Sequence, residues 1–498
     1  MRYRLLFLIA ILFPILTNAQ EAKEIGLDQQ IDQAFKPVSD FFSAVIFFEI
    51  GGIPFVLILL VFSALFFTIY FGFPNVRYFG KAINTVRGKI RDESEEGEVS
   101  HFQALATAVS GTVGNGNIAG VALAIALGGP GATFWMIICG LLGMSTKFVE
   151  CTLGVQYRDV GEDGTVYGGP MYYLSKGLKD RGFKTLGKVA AVIFAIFCIG
   201  GSFGGGNAAQ SNQATIVLKE LMGFEILAVL VGIIIIGGIK RIASVTEKVV
   251  PFMAVMYLIA CLYIIFSNFS MVDDAIGLII SEAFNPTAVG VGSLIGVLLV
   301  GFKRAAFSNE AGAGSASIAH SAVKTKYSAS EGLVALLEPF IDTVVICTMT
   351  ALVIIIFNFG GYFEYGGDGS GAVLIDGVSY EGAGITSMAF AKYIPYSNVF
   401  LTIAVVLFAV STMISWSYYG LQSWKFLFGR GKTADIVYKL LFLMFIIIGA
   451  AASMKSIWDF SDAMIFAMVF PNMIGLYFLF PVVKQQLIKY LEAIKGVK

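Results

Sequence analysis

The chain has 498 residues, of which 57% are hydrophobic and only 14% charged, with 34 basic and 34 acidic side chains. Soluble domains carry about 25% charged residues, so this composition excludes a chain that hides its apolar surface from water and makes lipid the solvent. The balanced charge gives no support to a nucleic-acid partner.

The N-terminus reads as a secretory leader. Arg2 and Arg4 precede an apolar run from Leu5 to Leu16, and Thr17-Asn18-Ala19 resembles a cleavage site. The run is short for a span, which favours removal of residues 1–19 over a retained first helix. Either way, residues 20–52 are expected outside the cytoplasm.

Apolar stretches long enough to span follow at about 53–75, 101–128, 132–157, 188–217, 225–239, 247–267, 287–323, 331–357, 397–424, 436–453 and 461–482, eleven in all. Their flanks alternate in charge. The loop after the first holds Arg77, Lys81, Arg87, Lys89 and Arg91, and the loop after the third holds Arg158, Lys176, Lys179, Arg181 and Lys184. Basic residues recur at Lys240, Arg241 and Lys248, at Lys324 and Lys326, at Lys425, Arg430 and Lys432, and in the tail. The stretches 268–287 and 358–384 on the opposite side have no lysine or arginine. This asymmetry predicts an outside N-terminus and a cytoplasmic C-terminus. Met271 to Phe284 and Ile385 to Tyr393 are amphipathic and read as outer caps, lids or interfacial packing.

The five cysteines, Cys139, Cys151, Cys198, Cys261 and Cys347, lie in apolar segments without CxxC spacing and read as packing residues. The two histidines, His101 and His320, belong to no metalloenzyme motif. No cluster points to catalysis, so the expectation is a protein that is not an enzyme.

Two spans are interrupted. Ala108-Val109-Ser110-Gly111-Thr112-Val113-Gly114-Asn115-Gly116 and Ala306-Phe307-Ser308-Asn309-Glu310-Ala311-Gly312-Ala313-Gly314 share A-x-S-x-x-x-G-x-G, offset by 198 residues (108 to 306). Each opens a set of five spans. Five is odd, so the two sets enter the membrane from opposite sides, as an inverted repeat does. Glycine permits unwinding and close approach. Unwound backbone offers carbonyls to a hard cation, and amides with a helix N-terminus to a carboxylate. The alternative is that these glycines only let helices pack closely.

At these residues the sequence resembles the alanine or glycine:cation symporter family, also called the sodium:alanine symporters. The resemblance rests on Gly114 to Ala122, on Gly128-Gly129-Pro130-Gly131-Ala132-Thr133-Phe134-Trp135-Met136, on Phe307 to Gly312 and on Trp416-Ser417-Tyr418-Tyr419-Gly420. It runs from about residue 53 to 482. Where the family signature usually continues with a second tryptophan, this chain has Ile137.

The resemblance implies an all-α polytopic membrane protein with a five-plus-five inverted-repeat amino-acid transporter fold and one extra N-terminal helix. The expected division is leader 1–19, outer segment 20–52, extra helix and loop 53–100, first repeat 101–267, outer amphipathic segment 268–286, second repeat 287–482 and tail 483–498. The implied activity is sodium-coupled import of alanine or glycine across a bacterial inner membrane. Substrate contacts fall on Thr112, Gly114, Gln210, Phe307 and Trp416. Sodium, the co-transported ion, falls on the hydroxyls of Ser411 and Thr412 and on backbone near Ala108 and Gly111. Each has a plainer reading: Gln210 as an interhelical hydrogen bond, the aromatics as core, and the two hydroxyls bonding back to their own helix. Lys303, Arg304, Glu310, Glu338 and Asp342 are expected to form a buried ion-pair network that fixes the second break. Lys147 and Glu150 are expected to pair. A proton-coupled or other-solute carrier remains a rival reading, with a sensor or channel behind it.

Overall fold

The computed structural model describes residues 27–90, 96–222, 238–286, 293–367, 369–451 and 454–495. The leader expected at 1–19 lies outside these residues, as does the span expected at 225–239 except for its last two positions.

Helix dominates because long apolar runs without water must satisfy every backbone group internally. Seven helices among the described residues are long and apolar enough to cross a bilayer, and one bent pair makes an eighth. Gly131–Gln156, with 26 residues, rises about 39 Å, more than the roughly 30 Å of hydrocarbon. Phe55–Tyr70 is shorter, at 16 residues. Among the described residues, each of the other ten expected spans contains helix. Among the described residues, three short antiparallel hairpins, such as Val373–Ile375 with Val378–Tyr380, add to the expected helices.

The outward faces are apolar. Phe252, Val255, Ile259 and Phe266 on one helix, and Ile436, Leu440 and Ile447 on another, are each more than half exposed. Such continuous apolar surface suits lipid and not water. Polar side chains are instead buried inside the bundle, among them Asn115, Asn117, Lys147, Glu150, Glu331, Glu338 and Asp342.

The first broken helix begins at His101, where Ser100 and Gln103 form a reciprocal cap. It runs to Thr112, unwinds at Val113 to Asn115, and resumes as a widened turn over Gly116–Gly120 and a helix over Val121–Gly128. Its halves are bent by 52°. Gly129, at φ +67°, then turns the chain into Gly131–Gln156. The helix Val272–Phe284 lies directly on Gly131: a Cβ there would stand 2.3 Å from the Glu282 carbonyl. Trp135 fixes that contact by donating from Nε1 to the Ala283 carbonyl at 3.0 Å.

The second broken helix runs from Leu294 to Asn309 and stops at Glu310, which adopts a left-handed φ of 55°. Gly312 and Gly314 follow at φ +97° and +88°, and helix returns briefly over Ser317–His320. The next span, Ser328–Asn358, contains a π-helical stretch over Phe340–Cys347. The start of the first broken helix and the end of the second are joined by backbone. Glu98 N and Val99 N donate to the Ala322 carbonyl at 2.7 and 3.2 Å, and Lys324 N donates to the Val99 carbonyl at 2.8 Å.

Candidate transport site

The two breaks meet at a small buried cavity lined by Gly111, Thr112, Gly116, Gly205, Gln210, Phe307, Ser308, Glu310, Thr412, Trp416 and Ile465. Four of the five residues expected to hold substrate line it. The fifth, Gly114, adjoins it, since a Cβ there would meet Thr412 Oγ1 at 2.4 Å and Gln210 Oε1 at 3.1 Å. The cavity is about 10 Å³, near the space one water needs. A solute of several heavy atoms therefore enters only when the walls part.

The walls come from five elements: the two broken helices, the span from Lys184 to Met222, Ser397–Phe428 and Met454–Ala493. Lys184–Phe203 passes through the turn Gly204–Ala208 into Ala209–Met222. That glycine turn makes room for the Trp416 indole, because a Cβ on Gly206 would sit 2.2 Å from its Cγ. Trp416 Nε1 then donates to Glu310 Oε1 at 2.9 Å. Phe307 packs on Trp458, with ring centroids 5.1 Å apart. Phe307, Trp416 and Ile465 form the apolar side, and the breaks form the polar side.

Gln210 is bound to the first break rather than free. Its Oε1 accepts from Asn115 N at 3.0 Å, its carbonyl accepts from Asn115 Nδ2 at 3.3 Å, and its Nε2 donates to the Gly205 carbonyl at 3.0 Å. Thr112 Oγ1 reaches back weakly to the carbonyls of Ala108 and Val109, at 3.4 and 3.3 Å.

The two hydroxyls expected to bind sodium differ. Ser411 Oγ donates to its own helix at the Phe408 carbonyl, 3.0 Å away. Thr412 Oγ1 is buried and has no hydrogen-bond partner. Ser411 contributes its carbonyl instead, accepting from Ser110 Oγ at 2.7 Å, while Ser415 Oγ donates to the Thr107 carbonyl at 2.8 Å. These two bonds hold the first half of the broken helix against Ser397–Phe428.

The charged residues do not form one network. Lys303 and Arg304 both engage Asp462. Lys147 does not take Glu150 as its direct partner. Its Nζ lies 3.0 Å from Glu338 Oε1, and Glu150 accepts from Asn472 Nδ2 at 2.7 Å. Glu310 and Asp342 are held by neutral donors. Asp342 Oδ1 accepts from Asn117 Nδ2 at 2.7 Å and from Ser308 Oγ at 3.1 Å, and Oδ2 accepts from Thr343 Oγ1 at 2.7 Å. One carboxylate thus joins Asn117 of the first break to Ser308 of the second. Sequence reasoning named Asp342 but not this job. The acid in an apolar span and the asparagine in the break motif were the available signals.

Two interrupted helices converging on a polar cavity, inside a bundle whose outer face suits lipid, define a multi-pass membrane protein built like a carrier. The chain belongs to the sodium:alanine symporter family, whose model matches residues 37–498. It is 40% identical to the sodium/alanine symporter AgcS of Methanococcus maripaludis, over 86% of this chain and 92% of that one. It is 33% identical to the probable sodium/glutamine symporter GlnT of Bacillus subtilis, covering 89% of each. It is 34% identical to a sodium/proton-dependent alanine carrier protein of a Bacillus species, over 82% and 91%. Among solved structures, a manganese transporter of Eremococcus coleocola has a TM-score of 0.49 at 15% identity, covering 76% of this chain and 78% of that one. At that score the likeness decides nothing. Family membership makes the chain a cation-coupled amino-acid transporter.

Proposed function

We propose that the protein is a sodium-coupled symporter that imports alanine or glycine by alternating access, seated in a bacterial inner membrane with its N-terminus outside. The observation that carries this reading is the meeting of both breaks at one cavity, with the unpartnered Thr412 hydroxyl against Gly114. Sodium is bound by Thr412 Oγ1 with Ser411 and with backbone carbonyls at Ala108 and Gly111. An all-oxygen set of this kind suits a hard cation better than a soft one.

The substrate carboxylate meets the Thr112 hydroxyl and the Gly114 amide, which turns to it from Asn117 Oδ1, its acceptor at 2.9 Å in the closed site. Gln210 turns from the break to the substrate as the cavity opens. Phe307 and Trp416 restrict the side chain to a small one. The architecture is a five-plus-five inverted repeat, 101–267 and 287–482, with residues 53–100 as an extra helix and loop in front. Residues 1–19 are a leader, 20–52 and 268–286 are outer segments, and 483–498 are a cytoplasmic tail. Sodium and substrate favour the same conformation, so each strengthens the binding of the other.

The deciding experiment is uptake of labelled alanine into proteoliposomes under a sodium or a potassium gradient, with unlabelled glycine and glutamine as competitors. Sodium-dependent uptake suppressed by glycine is expected. Uptake that persists without sodium but needs a pH gradient overturns the sodium part. Absence of alanine and glycine uptake, with another solute carried, overturns the substrate part.

A further inference from the structure

A chain of buried ionisable side chains runs inward from one end of the bundle and is not used by the symport reading. It starts at His101, in the wall of a vestibule of about 640 Å³ that Glu98, Gln103 and Lys324 also line. His101 Nδ1 contacts Glu331 Oε2, and Glu331 Oε1 lies 2.6 Å from His320 Nδ1. His320 Nε2 faces Glu338 Oε2 at 3.7 Å, and Glu338 Oε1 binds Lys147 at 3.0 Å. The side chains of Glu331, His320, Glu338 and Lys147 have no solvent exposure, and that of His101 has 12%.

Hydrogen-bond chemistry shows what this chain lacks. An ionised carboxylate only accepts, so both rings must present Nδ1–H to Glu331. In neutral His320 that leaves Nε2 as a bare acceptor. It then faces a second acceptor, Glu338 Oε2, and neither atom has another partner. A gap of 3.7 Å is too narrow for a bridging water. Two buried acceptors face to face are costly, and one proton turns the contact into a donor–acceptor pair. The charge count agrees. With neutral rings, Glu331 and Glu338 against Lys147 sum to −2 + 1 = −1, and one added proton brings the buried group to zero.

We propose that the protein binds a proton between His320 Nε2 and Glu338 Oε2, exchanged with the vestibule through Glu331 and His101. Only N–H and O–H bonds change: His101 takes a proton from vestibule water and passes its own to Glu331, and Glu331 passes it to the bare nitrogen of His320 when the ring turns that atom towards it; release reverses these steps. His320 ends the inner half of the second broken helix, whereas Glu338 and Lys147 belong to neighbouring spans. The bound proton therefore fastens that helix end to its surroundings, and its release frees the end to move. Acid on the vestibule side holds the carrier in the described conformation.

Other charges face this group. Arg158 lies in the field of Glu331. Glu150 and Glu310 lie in the field of Lys147, and Asp342 lies in that of Glu338. None of these replaces the missing donor at His320 Nε2.

The test uses the whole chain and two readouts. The first is the melting temperature of the detergent-solubilised protein from about pH 5 to 9, the range in which an imidazole titrates. The bound proton is a stabilising ligand, so the wild-type melting temperature falls as pH rises past its release, and His320→Gln and Glu338→Gln each flatten that fall. The second, which rests on the symport reading, is sodium-driven alanine uptake with the vestibule-side pH varied. One linked proton changes the rate by at most about tenfold per pH unit, and His320→Gln removes the dependence. Glu98→Gln is the control, because burial pushes the Glu98 carboxyl up and it titrates from the same vestibule. Three results overturn the proposal: a wild-type melting profile flat with pH, a profile unchanged in both His320→Gln and Glu338→Gln, or one flattened by Glu98→Gln alone. If the wild type transports no alanine, the symport reading falls and the melting profiles still decide the proton site.

Discussion

Gly114→Ala isolates the central contact of the site. Gly114 does not have the left-handed backbone that only glycine adopts readily, so alanine is allowed by φ and the obstacle is space alone. The new Cβ would stand 2.4 Å from Thr412 Oγ1, 3.1 Å from Gln210 Oε1 and 3.3 Å from Thr412 Cβ. Relief needs a movement of about 1 Å, and the branched side chain of Thr412 has few rotamers in which to make it. Overpacking of this kind costs about 1–3 kcal/mol, which corresponds to a weakening of sodium or alanine binding by roughly 5- to 150-fold. Gly120, which does not line the cavity, is the control six residues on. A Cβ there would find only Trp458 Cη2, at 3.9 Å, an ordinary contact, so Gly120→Ala is expected to stay within about threefold of wild type. The assay is the sodium- and alanine-concentration dependence of labelled uptake in proteoliposomes, scaled to monodisperse protein. A well-folded Gly114→Ala with wild-type constants, or a Gly120→Ala equally impaired, refutes the placement of the site.

Thr412→Val removes a buried hydroxyl that bonds to nothing in the protein. Its melting temperature should hold or rise while the sodium requirement increases about tenfold or more. Ser411→Ala loses a bond to its own helix and should change the sodium requirement less; the opposite order in sodium titrations would reverse the two roles. Lys147→Met leaves Glu338 buried without its cation and should cost about 3–5 kcal/mol, with Lys147→Met/Glu338→Gln recovering most of that in thermal unfolding. Arg430 donates to Asp159 Oδ2 at 2.5 Å, and this bond holds the Asp159 carboxyl below its ordinary range. A depressed carboxyl stabilises the fold above the unfolded pKa of about 3.9 and loses that contribution as pH falls through the lower, folded value. Arg430→Gln should therefore cost less than about 1 kcal/mol for this half-exposed pair. The loss should be equal at pH 6, 7 and 8, and a loss that varies across that range contradicts the assignment.

The spans were legible because apolar length is a direct physical requirement of lipid. The breaks were legible because glycine and polar residues stand out inside such runs, and the repeated A-x-S-x-x-x-G-x-G marked both. Residues that face the cavity from Ala209–Met222 and Ser397–Phe428, Gln210 and Trp416, came through family resemblance. Periodicity alone does not distinguish an amide that lines a cavity from one that bridges helices, and the structure has Gln210 doing both. Charge pairing was the least legible. Lys147 and Glu150 share a helix three residues apart, the spacing at which neighbours touch. Yet Lys147 reaches Glu338, 191 residues away, because the bundle brings that carboxylate against it. Likewise, nothing local to Asp342 announces that it bonds to Asn117, 225 residues earlier.

The backbone stitching at 98–99 and 322–324 has a mechanical consequence. Those amides and carbonyls bind the entry of the first broken helix to the exit of the second, and a Cβ on Gly97 would stand 2.5 Å from the Val323 carbonyl, so the strands touch without side chains between them. A displacement of one broken helix therefore pulls on the other through this joined end. The Asp342 bridge couples them again at mid-depth. Two attachment points along their length resist independent pivoting, so a change of angle in one broken helix is passed to the other.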